Sequence, residues 1–200
     1  MMRIKPAAVA GLFYPDDPTA LHQTLASCLA ATDPTPGERP RALIAPHAGY
    51  VYSGPIAASA YATLRPWRDQ IRRVMVLAPS HRVAFRGIAT SSAGRFATPL
   101  GEVPVDQATV ARLSSLPGVI RLDAAFEQEH ALEVQLPFLQ TVLDEFELIP
   151  LIVGQAEPGE VDRVIEAAIA DDALVVVSSD LSHYHDYATS QARDAATSAH

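Results

Sequence analysis

The chain has 200 residues, and its 48% hydrophobic and 19% charged content predicts a globular fold with a hydrophobic core rather than a disordered chain. Its formal net charge is −8 and it contains no run of Lys or Arg, so it has no electrostatic reason to bind nucleic acid or an anionic membrane. The single cysteine, Cys28, excludes an internal disulfide. We find no signal peptide and no stretch of the roughly 20 apolar residues that a membrane-spanning helix needs, and therefore expect a soluble cytoplasmic protein.

The first predicted element is a helix over residues 18–31. Asp17 is its expected N-terminal cap, because a short carboxylate accepts hydrogen bonds from the first free backbone N–H groups. Leu21 and Cys28 fall on one face at helical spacing, which favours Cys28 as a small core residue over a reactive thiol. Residues 33–40 are rich in proline and predict a loop.

Four short apolar runs that follow are predicted as β-strands. Near-continuous aliphatic runs are typical of strands whose two faces are both buried, as in a parallel sheet. The runs cover residues 41–46, 73–80, 146–153 and 173–179. The third run contains Pro150, so we expect that strand to be broken or to lie at a sheet edge.

Helical patterns separate these strands and indicate an α/β fold. They cover residues 55–64, 106–116, 127–143 and 157–170. Strands that alternate with helices predict a mostly parallel sheet with helices on both faces. Residues 85–105 interrupt the alternation, and their glycines and alternating apolar residues predict a β-hairpin or an excursion from the sheet. We treat residues 1–200 as a single domain.

Three of the seven histidines lie where predicted strands end: His47, His81 and His183. Ligands of open parallel sheets bind beyond the carboxyl ends of the strands, so these three side chains are expected to meet there. Neutral imidazole is a good ligand for iron, copper and zinc. Two histidines and one carboxylate form the facial site of non-haem iron oxygenases, and a histidine outside that set is suited to moving protons.

Two acidic residues and a further histidine accompany this constellation. Asp180 precedes His183 by three residues and is placed to orient an imidazole. His130 and Glu133 can share a helix face with Glu129. That face is either part of a site or an internally paired helix surface, and the spacing alone leaves both interpretations open.

Aromatic and hydroxyl residues flank the histidines. Tyr50, Tyr52 and Tyr184 either line a pocket that stacks an aromatic ligand or belong to the core. Ser53 and Ser80 invite a hydrolase interpretation, but the sequence contains no Gly-x-Ser-x-Gly nucleophile elbow. No glycine-rich phosphate loop follows any predicted strand either, which disfavours nucleotide binding.

Five short motifs together make the chain resemble the MEMO family, the protein-B component of the so-called AmmeMemoRadiSam system. They are the AGLFYP, PHAGYVYSG, PSH, EHALEVQLPF and SSDLSHY segments, at residues 10–15, 46–54, 79–81, 129–138 and 178–184. The motifs span nearly the whole chain. The resemblance implies a fold and pocket position similar to those of the class III extradiol ring-cleaving dioxygenases.

The resemblance also implies roles for the site residues. It implies that His47 and His81 are metal ligands and that His183 is the acid/base group. In an enzyme of this kind, His130 and Asp180 would tune the pocket. Iron(II) is the expected metal, with copper or zinc as alternatives. The substrate pocket would be lined by residues that neighbour these positions: Tyr50, Tyr52, Ser80, Glu133 and Tyr184.

The third metal ligand departs from the family pattern. In MEMO proteins it is a cysteine well after the Asp-x-x-His segment, whereas this sequence ends at His200 and Cys28 lies in the wrong place. We therefore expect a chain that lacks this ligand or the C-terminal part that carries it. The candidates to complete the metal site are Glu133, His130, Asp180 and His183. The same departure would leave apolar surface for another subunit to bury, as in a homo-oligomer.

Three functions remain open from the sequence. The first is a non-haem metal-dependent oxidoreductase, similar to extradiol dioxygenases, that acts on a small substrate such as a phenol. The second is a non-catalytic adaptor that retains the pocket to bind metal or a peptide. The third is a remnant without activity.

Overall fold

The computed structural model describes residues 3–33 and 37–199. Its strands are β1 (Ile4–Lys5), β2 (Ala42–Ala45), β3 (Arg73–Pro79), β4 (Ile88–Thr90), β5 (Arg95–Thr98), β6 (Gly101–Pro104), β7 (Val119–Arg121), β8 (Glu147–Val153) and β9 (Leu174–Ser178). Its helices are α1 (Pro18–Ala30), α2 (Tyr50–Ala62), α3 (Gln107–Leu113), α4 (Ala124–Glu127), α5 (His130–Glu133), α6 (Leu136–Val142), α7 (Pro158–Ala170) and α8 (Tyr187–Ser198). Residues 34–36 of the predicted loop lie outside the described part of the chain.

The main sheet has six strands in the order β2-β9-β3-β8-β4-β7. Every neighbouring pair is parallel except β4 and β8, which confirms the predicted mostly parallel α/β fold. Residues 74–78 of β3 and 148–152 of β8 are all buried. Because successive side chains of a strand point to opposite faces, both faces of the sheet are covered at its centre.

A smaller sheet, in the order β1-β5-β6, accounts for part of the excursion predicted over residues 85–105. Strands β5 and β6 form an antiparallel hairpin, as predicted. The strands β4 and β7, which were not predicted, are each only three residues long and extend the main sheet beyond β8.

The expectation that β8 is broken or lies at an edge is wrong. The strand is continuous from Glu147 to Val153 and lies between β3 and β4. Pro150 pairs with Val76 of β3, whereas β4 pairs only with residues 151–153. The proline, which has no N–H to donate, therefore lies just beyond the end of the shorter neighbouring strand.

The prediction of a single helix over residues 127–143 is also wrong, because α4 ends at Glu127 and the rest of the segment forms the two short helices α5 and α6. Glu129 has an extended backbone, with φ −84° and ψ 124°, and its side chain accepts a hydrogen bond from the backbone N–H of Ala131. Pro137 is the second residue of α6 and lies in the first turn, where proline is tolerated. The break at Glu129 makes His130 the first residue of a new helix instead of one position along a continuous face.

The N-terminal helices pack on one another. The predicted Asp17 cap of α1 is present, with Asp17 Oδ1 accepting from Ala20 N at 2.8 Å. Helix α2 begins five residues earlier than predicted, at Tyr50, whose N–H donates to the carbonyl of Phe13. Cys28 packs against the core, as predicted, and faces Gly54 of α2. No helix in the described ranges is long and apolar enough to cross a membrane.

Two glycines offer a matched test of the loop before β4. Gly87 has φ +84°, and a Cβ there would lie 2.1 Å from the carbonyl oxygen of Gly118, whereas Gly101 has φ +119° and open space. Both alanine variants introduce left-handed strain of about 1–2 kcal/mol, but only the first adds a backbone clash. We expect Gly87→Ala to lower the free energy of unfolding by about 1–3 kcal/mol more than Gly101→Ala in urea titrations. Equal losses would contradict the close approach.

Candidate metal centre

Three imidazole rings meet at the carboxyl end of the sheet. His47 follows β2, His81 follows β3, and His130 begins α5. One ring nitrogen of each lies within 4.8 Å of those of the other two. The ring centroids are separated by 5.2 Å between His47 and His81, 5.6 Å between His47 and His130, and 4.5 Å between His81 and His130.

The topology explains why these distant residues converge. Strands β2 and β3 flank β9 and all three run parallel, so the residues after β2 and β3 emerge at the same edge. Helix α5 packs against β3 and β8, which brings His130 over the same edge. The sequence prediction that His47 and His81 meet depended on this parallel arrangement.

The carboxylate of Glu129 lies close to the rings of both His81 and His130. Its Oε1 lies 2.9 Å from His81 Nδ1 and 3.3 Å from His130 Nδ1, and its Oε2 accepts from the backbone N–H of His81 at 2.6 Å. Burial acts to raise the pKa of Glu129, but hydrogen bonds from the backbone of Ala131 and His81 outweigh it and hold that pKa below its ordinary value. The carboxylate can accept only, so His81 Nδ1 carries a proton and Nε2 is its free ligand atom.

Asp180 lies between His47 and His183. Its Oδ1 accepts from the backbone N–H of His47 at 2.7 Å. Its Oδ2 lies 3.7 Å from His47 Nε2 and 3.5 Å from His183 Nε2. His183 therefore adjoins the three rings through this carboxylate, and its side chain is 55% exposed. Asp180 has the orienting position that its spacing from His183 predicts.

His47 and His130 are held in the neutral form. Burial lowers the pKa of His47 below its ordinary value of 6.5, and the nearby His81 lowers it further, although Asp180 opposes this. Burial likewise lowers the pKa of His130, with the two other histidines adding to the effect and Glu129 opposing it. Neutral imidazoles are the form that binds metal.

The ring of His130 provides a test of whether a metal fits. Its Nδ1 is buried and has no hydrogen-bond partner among the described residues, because Glu129 Oε1 is not aligned with it. Phe13 covers one side of the ring at a centroid distance of 4.5 Å. A buried polar atom without a partner is costly, and three imidazoles form a donor set that suits iron, copper or zinc. The three histidines therefore fit a divalent transition metal.

Two of the predicted pocket tyrosines are exposed and one is in the core. Tyr50 is buried and donates from its hydroxyl to the carbonyl of Val134 at 2.6 Å. Tyr52 is 83% exposed, and Tyr184, which has φ 60°, is fully exposed. The sequence left open whether these tyrosines line a pocket or belong to the core, and Tyr50 belongs to the core.

Ser80 lines a cleft of about 500 Å³, and none of the three histidines is among the residues that line it. Its hydroxyl donates to the carbonyl of Val83 at 2.6 Å, which closes the turn after β3. Phe85 and Gly154 also line the cleft, which opens at the carboxyl ends of β3 and β8.

Glu133 does not line the cleft, because it is 1% exposed and its carboxylate points into the N-terminal segment. It pairs with Lys5 Nζ at 2.5 Å and accepts from the backbone N–H groups of Ala8 and Val9. It also accepts from the hydroxyl of Tyr14 at 2.7 Å. Its position supports the segment that carries Phe13.

The family of the chain follows from comparison with known proteins. A family model described as "Memo-like protein" matches residues 5–198, almost the whole chain. The chain belongs to the Memo-like protein family. This confirms the resemblance that the five sequence motifs indicated.

Curated relatives in this family come from archaea and bacteria. A MEMO1 family protein of Methanothermobacter thermautotrophicus is 35% identical over 96% of this chain and 74% of its own length. A MEMO1 family protein of Aquifex aeolicus is 36% identical, over 92% of this chain and 68% of its own length. One from Methanocaldococcus jannaschii is 34% identical over 98% of this chain and 75% of its own length.

Sequence reasoning did not assign a site role to Phe13, Glu129 and Ser178, which contact the histidines, or to Gln135, which contacts Ser178. All four lie in the motifs that carried the resemblance. The adjacency of Glu129 and His130 was the one local signal. At the start of α5, the Glu129 carboxylate lies within 3.3 Å of a ring nitrogen of both His81 and His130.

The neutral histidines predict an acid-sensitive stability of the metal-free protein. Because the pKa values of His47 and His130 are lowered from 6.5, the unfolded chain binds more protons than the folded one below that pH. The free energy of unfolding should be fully maintained above pH 6.5 and fall as the pH drops below it. Urea titrations in the presence of a chelator measure this pH dependence. The free energy of unfolding should depend less steeply on pH in a His47→Asn variant, whereas a His22→Asn control should keep the wild-type dependence. The same slope in both would contradict the burial of His47.

Proposed function

We propose that this protein is a non-haem metal-dependent oxidoreductase similar to the class III extradiol dioxygenases. The observation that carries the proposal is the convergence of the imidazoles of His47, His81 and His130 at the edge of a mostly parallel sheet. These residues would hold iron(II), and copper or zinc would also suit the donor set. When bound, iron(II) supplies redox chemistry and open coordination positions for small molecules.

The residues around the three histidines support a division of roles. His183 is exposed and shares Asp180 with His47, so it is placed to accept or donate a substrate proton while Asp180 orients its ring. Phe13 shields His130 from water on one side. The cleft beside Ser80 gives space for a small aromatic ring. The substrate class that suits this arrangement is a phenol or catechol.

Oxygen consumption tests the reaction directly. Extradiol cleavage oxidises the catechol ring and reduces dioxygen, and both oxygen atoms enter the product without an external reductant. Protein reconstituted with iron(II) under nitrogen should then consume one dioxygen per catechol when air is admitted. His183→Gln should lower the turnover number by about 100-fold or more, since acid/base groups contribute about 10²–10⁴-fold. His185→Gln is the matched control, and no consumption with any catechol would refute the catalytic proposal.

A second function is supported by the surface around the site. Large apolar side chains that are exposed in the described part of the chain concentrate on segments next to the histidines, including Leu12, Val51, Tyr52 and Tyr184. Exposed apolar groups of this size are typical of binding surfaces. The alternative is thus a non-catalytic adaptor that binds metal or a peptide. Saturable peptide binding that Tyr52→Ser weakens, in protein without oxygen consumption, would favour it.

A further inference from the structure

A buried chain of hydrogen bonds reaches His47 from the interior of the protein. Tyr61 donates from its hydroxyl to Gln135 Oε1 at 2.7 Å, and Gln135 Nε2 donates to Ser178 Oγ at 2.8 Å. Ser178 Oγ lies 3.0 Å from His47 Nδ1. Tyr61, Gln135 and Ser178 are each at most 2% exposed, so water does not compete with these contacts.

The orientation of the Gln135 amide follows from its partners. One group of the amide lies 3.0 Å from the carbonyl oxygen of Pro46, which can only accept. That group must be the NH₂, and its second hydrogen points to Ser178 Oγ. The amide oxygen then accepts from Tyr61, so both amide hydrogens and the amide oxygen are bonded.

The proton of the Ser178 hydroxyl is fixed by the same reasoning. A hydroxyl has one hydrogen and two lone pairs. The carbonyl oxygen of Ala131, at 2.6 Å from Ser178 Oγ, can only accept and so takes the hydrogen. Gln135 donates to one lone pair, and the other lone pair faces His47 Nδ1. That contact is favourable only when His47 Nδ1 carries a hydrogen.

We propose that Ser178, oriented by Gln135 and the Ala131 carbonyl, is a positioning residue that fixes His47 in the tautomer with its proton on Nδ1. The Nε2 lone pair is then free to face a metal. Glu129 imposes the same tautomer on His81. Two of the three imidazoles are thereby set before any metal arrives, which removes the need to redistribute protons on binding. This inference rests on the proposed metal centre for its consequence but not for the tautomer itself.

The tautomer is measured in the metal-free protein by long-range ¹H–¹⁵N NMR of the histidine side chains at pH 7.5. Wild-type His47 should show the Nδ1–H form, whereas Ser178→Ala should show a mixture of both forms. Ser178→Thr retains a hydroxyl and should restore the Nδ1–H form. Ser59→Ala is the matched control, because it removes an exposed hydroxyl from α2. An Nε2–H tautomer in the wild type would overturn the inference.

The consequence is measured with Zn²⁺ as the probe, by competition with a chromophoric chelator. Loss of an outer hydrogen-bond partner of a histidine ligand costs about 10–100-fold in metal affinity, so Ser178→Ala should bind Zn²⁺ that much more weakly. Ser178→Thr and Ser59→Ala should bind like the wild type. A mixed tautomer with unchanged Zn²⁺ affinity would overturn the positioning role.

The two tests separate this inference from the proposed metal centre. If wild-type protein binds no Zn²⁺ or iron(II), the metal centre is refuted, while the NMR result still decides whether Ser178 fixes the tautomer. Gln135→Leu provides a second variant if Ser178→Ala does not fold. It removes the donor that blocks rotation of the Ser178 hydroxyl, so a mixed His47 tautomer is again expected. An unchanged tautomer in this variant would refute the role of Gln135.

Discussion

Replacing Glu133 with alanine is expected to destabilise the protein by about 3–5 kcal/mol, the range for removing one partner of a buried ion pair. The change leaves Lys5, which is 4% exposed, as a charge without its partner in the interior. It also removes the acceptor for the backbone N–H groups of Ala8 and Val9 and for the Tyr14 hydroxyl. Urea unfolding followed by tryptophan fluorescence and circular dichroism measures the loss.

Glu166→Ala is the matched control, because Glu166 is an exposed residue of α7. Surface substitutions of this kind usually change stability by less than about 0.5 kcal/mol. The double variant with Lys5→Met should recover part of the loss, since it removes the stranded charge. A loss below about 1 kcal/mol for Glu133→Ala would show that the N-terminal segment does not depend on this carboxylate.

Replacing His130 with alanine is expected to weaken Zn²⁺ binding by more than about 100-fold. Loss of an outer partner of a ligand already costs about 10–100-fold, and His130 offers a ring nitrogen to the metal itself. His47→Ala and His81→Ala should have effects of the same size. Isothermal titration calorimetry measures the affinity and the stoichiometry, which should be one ion per chain.

His22→Ala on the exposed face of α1 and His183→Ala serve as controls for this prediction. Both should bind Zn²⁺ with an affinity close to that of the wild type, because neither ring belongs to the group of three. A large loss in His183→Ala together with normal binding by His130→Ala would exchange the roles of these two histidines. Thermal unfolding of each metal-free variant establishes that the loss does not come from misfolding.

The sequence predicted that the strand-end residues His47 and His81 meet, whereas the third residue of that prediction, His183, lies outside the group of three rings. His47 and His81 follow apolar runs that stop at prolines, and the carboxyl ends of parallel strands share an edge. Their meeting requires only that β2 and β3 run parallel in the same sheet. The family resemblance followed from the same segments and is confirmed.

The position of His130 could not be predicted because it depends on a helix break. Leu132, Leu136, Leu139 and Leu143 have helical spacing, which favoured one continuous helix. In the structure Glu129 leaves the helical conformation to accept backbone and ring hydrogen bonds from His81, far away in sequence. Tertiary hydrogen bonds to a buried carboxylate thus override local periodicity.

Strand β8 shows a similar limit. A proline within an apolar run disfavours an interior strand, because it removes one donor from the ladder. Whether that donor is needed depends on how far the neighbouring strand extends, and β4 pairs only with residues 151–153. Strand β4 ends at Thr90, which pairs with Leu151, and no local pattern in the sequence reveals where it ends.

The most direct test of the metal centre is anomalous X-ray diffraction from crystals of iron(II)-loaded or Zn²⁺-loaded protein, recorded at the absorption edge of the metal. We predict one strong peak bonded to a ring nitrogen of each of His47, His81 and His130, with Glu129 hydrogen-bonded to His81 Nδ1 and Asp180 to the backbone N–H of His47. A peak bonded elsewhere, or one that excludes His130 from the bonded set, would contradict the assignment.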